Sequence, residues 1–345
     1  MRKSVTLITG ASGEVGHAII EALAHCPRAI ITLDPRPLAT TLANLVEREF
    51  VGSVLDHDLL EQIAAEHEVD TVFHLAALLS TRSETMPVAA HQVNVDGTLN
   101  LLEFARTQGE AHDRPVVFLY PSSIAVYGLP DLATKVRAGA VKEREWNLPR
   151  TMYGCNKLCC EHLGRYYGLH YAQLAPERPV SRVDFRAIRL PGLISAETLP
   201  SGGTSDFAPE MIHAAARGEP YRSFVRPDSR IPFMLMADAV DAMLALAGAD
   251  RACLRQSVYN VGAFNPSASE VRDLVLEGFP EADIGFAPEE NRQAIVDSWP
   301  ADVDMSAANE DWGLAARQDA QAAFREVLIP SIRKRYTDWP GPGDR

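Results

Sequence analysis

Tyr153 and Lys157 stand four residues apart in Tyr153-Gly154-Cys155-Asn156-Lys157, a spacing that sets both side chains on one face of a helix. A phenol beside an ammonium is a proton-transfer pair. An unperturbed tyrosine titrates near 10, so service as a base near neutral pH requires a fall of roughly 2–3 units, about 3–4 kcal/mol. A neighbouring positive charge supplies much of it. A third group must orient the reacting oxygen, and Ser122-Ser123-Ile124-Ala125-Val126-Tyr127-Gly128, directly after a strand-like run, offers a hydroxyl. Ser123 is the expected donor. A Tyr-x-x-x-Lys pair by itself is usually no more than a helix face, so its meaning depends on what precedes it.

What precedes it is a nucleotide-type turn. Gly10-Ala11-Ser12-Gly13-Glu14-Val15-Gly16 follows the first apolar run and opens a helix that continues through Leu23. Glycines there permit a tight turn, so the helix N-terminus can present unpaired N–H groups to a pyrophosphate. The second strand ends at Asp34, about 20 residues on, where a carboxylate can bind both ribose hydroxyls and repel a 2′-phosphate. That favours NAD, with Arg36 leaving NADP open. The competing reading of Asp34 is a turn carboxylate before Pro35. The positive nicotinamide of oxidised cofactor would further lower the Tyr153 pKa, tying the base to cofactor occupancy.

These groups need a frame. Apolar runs at 5–9, 30–33, 71–75 and 116–120 alternate with helical stretches, and 181–190 and 257–261 add two more. That rhythm predicts an α/β fold with a doubly wound parallel sheet. Beyond Leu190 the pattern loosens into Gly- and Pro-rich loops, with helices expected near 206–217, 237–247, 267–277 and 319–327. The expected division is a nucleotide domain over 1–190 with return segments at about 231–262, and a smaller discontinuous substrate lobe from 191–230 and 263–345. Segments 130–149 and 173–180 read as surface insertions.

Composition narrows the partners. Of 345 residues, 46% are hydrophobic, enough for a substantial core, and the net charge of −13 lacks the basic footprint of a nucleic-acid binder. A small-molecule substrate is expected, with no nucleic acid and no membrane, since no apolar run is long enough to span a bilayer. Residues 5–8 run into the glycine turn, which argues against an export signal and for a cytoplasmic protein. The five cysteines include Cys155, Cys159 and Cys160, whose spacing fits no zinc ribbon or redox pair. They read as reduced core thiols, and no metal is expected.

The glycine turn, the strand-end serine and the helical Tyr/Lys pair occur in the order of an extended short-chain dehydrogenase/reductase, which the chain resembles over nearly its full length. The resemblance implies a Rossmann-type fold and a Ser123/Tyr153/Lys157 triad. In that family Tyr exchanges the hydroxyl proton, Lys holds the cofactor ribose and lowers the Tyr pKa, and Ser binds the reacting oxygen. It further implies that Gly10, Ser12, Gly13, Glu14, Val15, Gly16, Asp34, Leu75, Ala76, Ala77, Asn94, Tyr153, Lys157, Leu190 and Pro191 surround NAD. His74-Leu75-Ala76-Ala77 would end the strand beneath the adenosine, with His74 a packed residue. Asn94-Val95-Asp96-Gly97-Thr98 resembles a helix motif with a structural Asn. Asp304, Ser306 and Trp312-Gly313 resemble a structural turn and cap. Where the family often has an Asp touching adenine, Ser53 and Val54 stand instead, so that contact would be weaker or made by backbone.

Within this family the second half decides the substrate. Nucleotide-sugar epimerases and dehydratases carry an Arg that grips the nucleotide phosphate, where this chain has Ile231, with Arg230 one residue out of register. A one-residue shift along a strand reverses the side chain's face. The short-chain L-threonine 3-dehydrogenases resemble it more closely, at Pro191-Gly192-Leu193-Ile194-Ser195, Ser201-Gly202-Gly203-Thr204-Ser205-Asp206-Phe207, Pro232-Phe233-Met234 and Arg292-Gln293-Ala294-Ile295-Val296-Asp297-Ser298-Trp299-Pro300. Pro121 to Val126 and Leu78-Leu79-Ser80 add to the likeness. It implies that Ser80, Ser123, Tyr153 and Thr204 bind substrate, that Gly203 admits it closely, and that Trp299 helps close a small, dry pocket. Gly202-Gly203 as a plain flexible loop and Trp299 as plain core are the competing readings. Ser201, Ser205 and Phe207 depart from the usual loop, which leaves a different 3-hydroxy acid open. A non-catalytic nucleotide sensor of this fold is the remaining rival, marked by a lost Tyr or Lys; both are present here. A homodimer is expected through the helices bearing Asn94 and Tyr153, with Cys159, Cys160 and Leu163 suited to packing.

Overall fold

A computed structural model describes residues 4–177, 179–200, 202–314 and 318–337. Seven strands form its main sheet: β1 (Ser4–Thr9), β2 (Ala29–Asp34), β3 (Arg48–Val51), β4 (Glu68–His74), β5 (Val116–Ser123), β6 (Val183–Leu190) and β7 (Val258–Asn260). Their spatial order is β7-β6-β5-β4-β1-β2-β3, with every neighbouring pair parallel. Both faces of such a sheet are covered, which is why β5 is unbroken in its apolar character from Val116 to Pro121. The expected Rossmann-type sheet is present. The strand order reverses between β1 and β4, and ligands bind in the crevice at the carboxyl ends of strands flanking such a switch point.

The principal helices are α1 (Glu14–Leu23), α2 (Gly97–Ala111), α3 (Met152–Arg165), α4 (Phe207–Arg217), α5 (Met236–Gly248), α6 (Ala268–Gly278) and α7 (Glu290–Ser298). On one sheet face Leu7, Phe118, Tyr120 and Phe185 pack with Leu101 and Leu102 of α2 and Cys160 of α3. On the other, Ile8, Ile30 and Ile188 meet Ile19 and Ile20 of α1 and Val240, Met243 and Leu246 of α5. A third core joins α4, α6 and α7 through Met211, Ile212, Val271, Val275 and Val296, and it includes Ile124 to Tyr127, the turn directly after Ser123. Ser123 therefore sits where the sheet's end meets this third core, against which Tyr153 is also packed.

Local signals explain the helix limits. Ser267 and Glu270 form a reciprocal capping box on α6. Gly218, with φ +68, ends α4 in the left-handed conformation that spares its last carbonyls. β6 buries Asp184, Arg186 and Arg189, and Arg186 donates to the carbonyls of Leu246, Ala247 and Ala249 at the end of α5 while pairing with Asp184. A cation at a helix C-terminus satisfies free carbonyls and opposes the dipole.

Three expectations need adjusting. β3 escapes notice in the sequence because it is a four-residue edge strand with two charged side chains. Segment 130–149 is more than a surface insertion: Leu132–Ala138 is helical, Ala140–Val141 pairs with Asp302–Val303, and Val141 is fully buried. There Lys135, pushed down to about 8 by burial, donates to the Val296 carbonyl. The last helical pattern runs beyond 327, through a π-turn at Ala323–Leu328 into Ile329–Arg335. By contrast 173–180 contains fully exposed surface such as Leu174. Among the described residues no helix is long and apolar enough to cross a membrane.

Candidate active site

The nucleotide turn forms as the glycine spacing requires. Gly10 has φ +68, and a Cβ there would lie 2.6 Å from the Ala76 backbone nitrogen, so the ends of β1 and β4 meet without a side chain between them. Gly16 faces the Gly10 and Ala11 carbonyls equally closely, and Gly13 caps α1. The bare backbone of Gly10-Ala11-Ser12-Gly13 in front of a helix N-terminus is a cradle of the kind a pyrophosphate needs.

Asp34, at the tip of β2, is buried. It accepts from Ser12 N at 3.0 Å and Arg36 N at 2.9 Å. The carboxylate shapes the turn and, when ionised, still has lone pairs free to accept from a ligand's hydroxyls. The Arg36 guanidinium lies 3.6 Å from it and donates to the Ser12 carbonyl. Ser53 Oγ accepts from Leu55 N, while Val54 is buried and its carbonyl accepts from Asn100. Asn94 binds both backbone groups of Leu78, fixing the segment that carries Leu75, Ala76 and Ala77. His74 is buried between Thr9 and Thr98 hydroxyls, and desolvation, with Lys157 adding to it, pulls its pKa down to about 3. It is a neutral core residue, as expected. Leu190 and Pro191 close this side of the crevice, both buried.

Tyr153 and Lys157 lie together on α3, and Lys157 reaches the end of β5 that carries Ser123. Thr151 Oγ1 caps α3 by accepting from Gly154 N at 3.0 Å, and Glu84 accepts from Met152 N at 2.7 Å. A Cβ at Gly154 would sit 2.1 Å from the Ala125 carbonyl, so only glycine lets α3 lie against the turn that follows Ser123. The sequence separation between Ser123 and Tyr153 is accommodated by looping out: Gly128 N donates to the Trp146 carbonyl, and Arg150 to that of Pro130. Ser123 Oγ accepts from Ala125 N. Lys157 Nζ donates to the Pro121 carbonyl at 2.6 Å and lies 4.5 Å from the Tyr120 ring centroid and 5.5 Å from that of Tyr153.

Burial dominates the electrostatics of this pair. Burial pushes Tyr153 up, and burial pulls Lys157 down to about 8 against the opposing pull of Cys160 and Glu161. Burial thus works against the charged form of each group, and positive charge entering the site would favour the phenolate.

The substrate-side candidates belong to a separate loop. Gly203 N donates to Asp206 at 2.7 Å, its carbonyl accepts from Arg292 at 3.0 Å, and Thr81 Oγ1 donates to the Gly202 carbonyl at 3.0 Å. The Arg292 guanidinium also stacks 3.2 Å over the Phe224 ring. Thr204 is buried, and Ser80 opens the short helix Ser80–Thr85. Trp299 is 5% exposed and belongs to the third core, so packing occupies most of its surface. Thr198 donates to Glu14, linking this loop to the first turn of α1. Ser201 lies outside the described residues. Ile231 is fully buried, while Arg230 turns to the Asn265 carbonyl and the Glu270 carboxylate. Reasoning from sequence missed Glu84, Glu161 and Arg189, and it quoted Asp206 and Arg292 within family-like runs without assigning them a role. Glu161 carried a local signal of its own, one helical turn past Lys157. Cys160 does not suit a subunit surface, being fully buried with its thiol on the Asn94 carbonyl.

Comparison with known proteins agrees with this geometry. A family model described as the NAD dependent epimerase/dehydratase family matches residues 6–262. An uncharacterised epimerase/dehydratase of Staphylococcus aureus (strain MRSA252) is 31% identical over 96% of this chain and 97% of its own. Among solved structures, L-threonine dehydrogenase from Clostridium difficile superposes with a TM-score of 0.84 at 28% identity, covering 97% of this chain and 99% of that one. The holo form of a GalE-like L-threonine dehydrogenase from Cupriavidus necator gives 0.82 at 31%, covering 94% and 99%. With a glycine cradle bound to a strand-end carboxylate and a Tyr/Lys helix packed on the same sheet, the cofactor is NAD, and the chain belongs to the NAD dependent epimerase/dehydratase family.

Proposed function

We propose that the chain oxidises the 3-hydroxyl of L-threonine, or of a close 3-hydroxy acid, giving 2-amino-3-oxobutanoate from L-threonine. The observation that carries this reading over a nucleotide-sugar reaction is the fate of residues 230 and 231. Ile231 is buried at the place of a phosphate-gripping arginine, and Arg230 is already engaged by Glu270 and Asn265. The L-threonine dehydrogenases of similar fold support the same substrate class.

When bound, NAD supplies the electrophilic ring that accepts a hydride from the substrate's C3. Gly10, Ser12, Gly13, Glu14, Val15 and Gly16 would hold its pyrophosphate, Asp34 its adenosine ribose, Ser53 and Val54 the adenine side. Leu75, Ala76, Ala77, Asn94, Leu190 and Pro191 would shape the remainder of the crevice, and Lys157 would take the nicotinamide ribose. Ser123 Oγ holds the substrate's 3-oxygen, and the Tyr153 phenolate removes its proton as the carbonyl forms. Lys157, tethered to the Pro121 carbonyl, stabilises that phenolate. Ser80 and Thr204 bind the amino and carboxylate ends, Gly203 leaves room for them, and Trp299 keeps the pocket dry.

The protein is read as a cytoplasmic homodimer paired through α2 and α3, where Leu99 and Tyr166 stand exposed. Its five cysteines are all free, which suits a reducing compartment. Mixing purified protein and NAD with L-threonine, L-serine, simple 3-hydroxy acids and UDP-sugars, and following NADH absorbance, tests the proposal. Turnover of L-threonine or a close analogue supports it. Silence with every 3-hydroxy acid, or turnover of a UDP-sugar without net NADH, ends it.

A further inference from the structure

Two turns beyond Tyr153 and one beyond Lys157, the same face of α3 carries Glu161, a buried carboxylate with no part in the proton transfer described above. Arg189 of β6 binds it through two parallel hydrogen bonds, Nε to Oε1 at 2.9 Å and Nη2 to Oε2 at 2.7 Å. Ser122 Oγ donates to the same Oε1 at 2.5 Å. Both partners are almost fully enclosed, Glu161 at 4% and Arg189 at 2% exposure.

The position of this pair matters more than its strength. Ser122 and Arg189 face one another in the β5–β6 register. Ser122 is flanked by Pro121, whose carbonyl holds the Lys157 ammonium, and by Ser123. One carboxylate therefore fastens α3 to two strand ends at the segment that supplies two of the three catalytic candidates. Arg189 is anchored outward as well: it donates to the Glu143 carbonyl and lies over the Tyr127 ring, whose hydroxyl donates to Asn260. A buried ion pair adds little net stability over apolar residues of the same volume, because desolvation consumes the Coulombic gain. What it supplies here is a fixed geometry, and a negative charge one turn from a lysine whose charged form burial disfavours.

We propose that Glu161 is a positioning residue for this site, holding Ser122 and Arg189 so that Lys157 stays charged on the Pro121 carbonyl and Ser123 stays in register with Tyr153. The catalytic part of this inference rests on the Ser/Tyr/Lys reading above, so its test includes a readout independent of any substrate. The charged or titratable groups around Lys157 are His74 from β4, Tyr120 from β5, Arg189 from β6, and Tyr153, Cys160 and Glu161 from α3 itself.

Lys157 is one of only five lysines, so in protein labelled with ¹³C-lysine its Cε resonance can be assigned by its loss in Lys157→Met and titrated without substrate. Glu161→Gln should lower its midpoint by about one unit, and Ser122→Ala, which removes a single hydroxyl, should lower it less. The alkaline limb of the kcat profile should move the same way, with kcat down roughly tenfold and the Kd for NAD within about twofold. The double variant Glu161→Leu with Arg189→Met should recover the melting temperature while kcat stays depressed. A Lys157 midpoint unmoved in Glu161→Gln and Ser122→Ala, or a double variant with full kcat, would overturn the proposal and leave the pair as packing. If Glu161→Gln does not fold, Ser122→Ala and the double variant decide the matter. Failure of the wild type to oxidise L-threonine would remove the substrate reading and leave the titration result standing.

Discussion

The two halves of the proposed site are built by different means. The proposed nucleotide half is formed by backbone: Gly10 and Gly16 bring chain segments within contact, Asp34 ends a strand, and Gly154 seats α3 on the turn after Ser123. On the substrate side, the loop at Gly202 to Thr204 is held by side chains reaching from far along the sequence, Thr81 from before it, Arg292 from after it, and Glu14 through Thr198. The first kind of site is rigid and tied to residue types at fixed spacing. The second is assembled only once the chain has folded, and it is the part that changes with substrate.

This contrast predicts where substitutions act. Tyr153→Phe, on the rigid side, should lower kcat by roughly 10²–10⁴ with NAD affinity unchanged; near-normal turnover would break the catalytic assignment. Asp34→Ala should weaken NAD by about tenfold or more and narrow the preference over NADP, measured as the ratio of kcat/KM for the two cofactors. If the wild type already uses NADP equally well, Asp34 serves the turn alone. Arg292→Ala, on the assembled side, frees the Gly203 carbonyl and should raise KM for substrate by about tenfold, a cost of roughly 1.5 kcal/mol for a charged hydrogen bond. An effect of that variant on NAD binding as large as on KM would erase the distinction between the two sides.

Smaller effects sharpen the picture of the scaffold. His74 titrates near 3 in the fold against an ordinary 6.5, so the unfolded chain binds the extra proton first. Its contribution to stability is whole above pH 6.5 and is lost as pH falls toward 3. Denaturant melts across that range should flatten in His74→Gln. Thr151→Ala removes the cap of α3 and should cost about 1 kcal/mol, seen as a shift in the urea midpoint.

The same contrast explains what the sequence reveals. The sheet is legible because buried parallel strands such as Val116–Ser123 open on an unbroken apolar run, and the glycine turn because its conformations admit little else. Edge strand Arg48–Val51 is not, since one exposed side leaves no period to read. Segment 130–149 looks like an insertion because its burial arises from a pairing with Asp302–Val303, more than 150 residues away. Arg292 stands in a run that the sequence singles out, yet its role there is hidden for the same reason: its partner is the Gly203 carbonyl, 89 residues away, and a backbone carbonyl has no residue type.

The most direct test of the central claim is transfer of the C3 hydrogen. L-threonine deuterated at C3, incubated with the protein and NAD, should yield NADH carrying one deuterium per turnover, read by mass spectrometry, and Tyr153→Phe should suppress it. Absence of label in the cofactor, with a UDP-sugar converted instead while NAD is returned unchanged, would contradict the account.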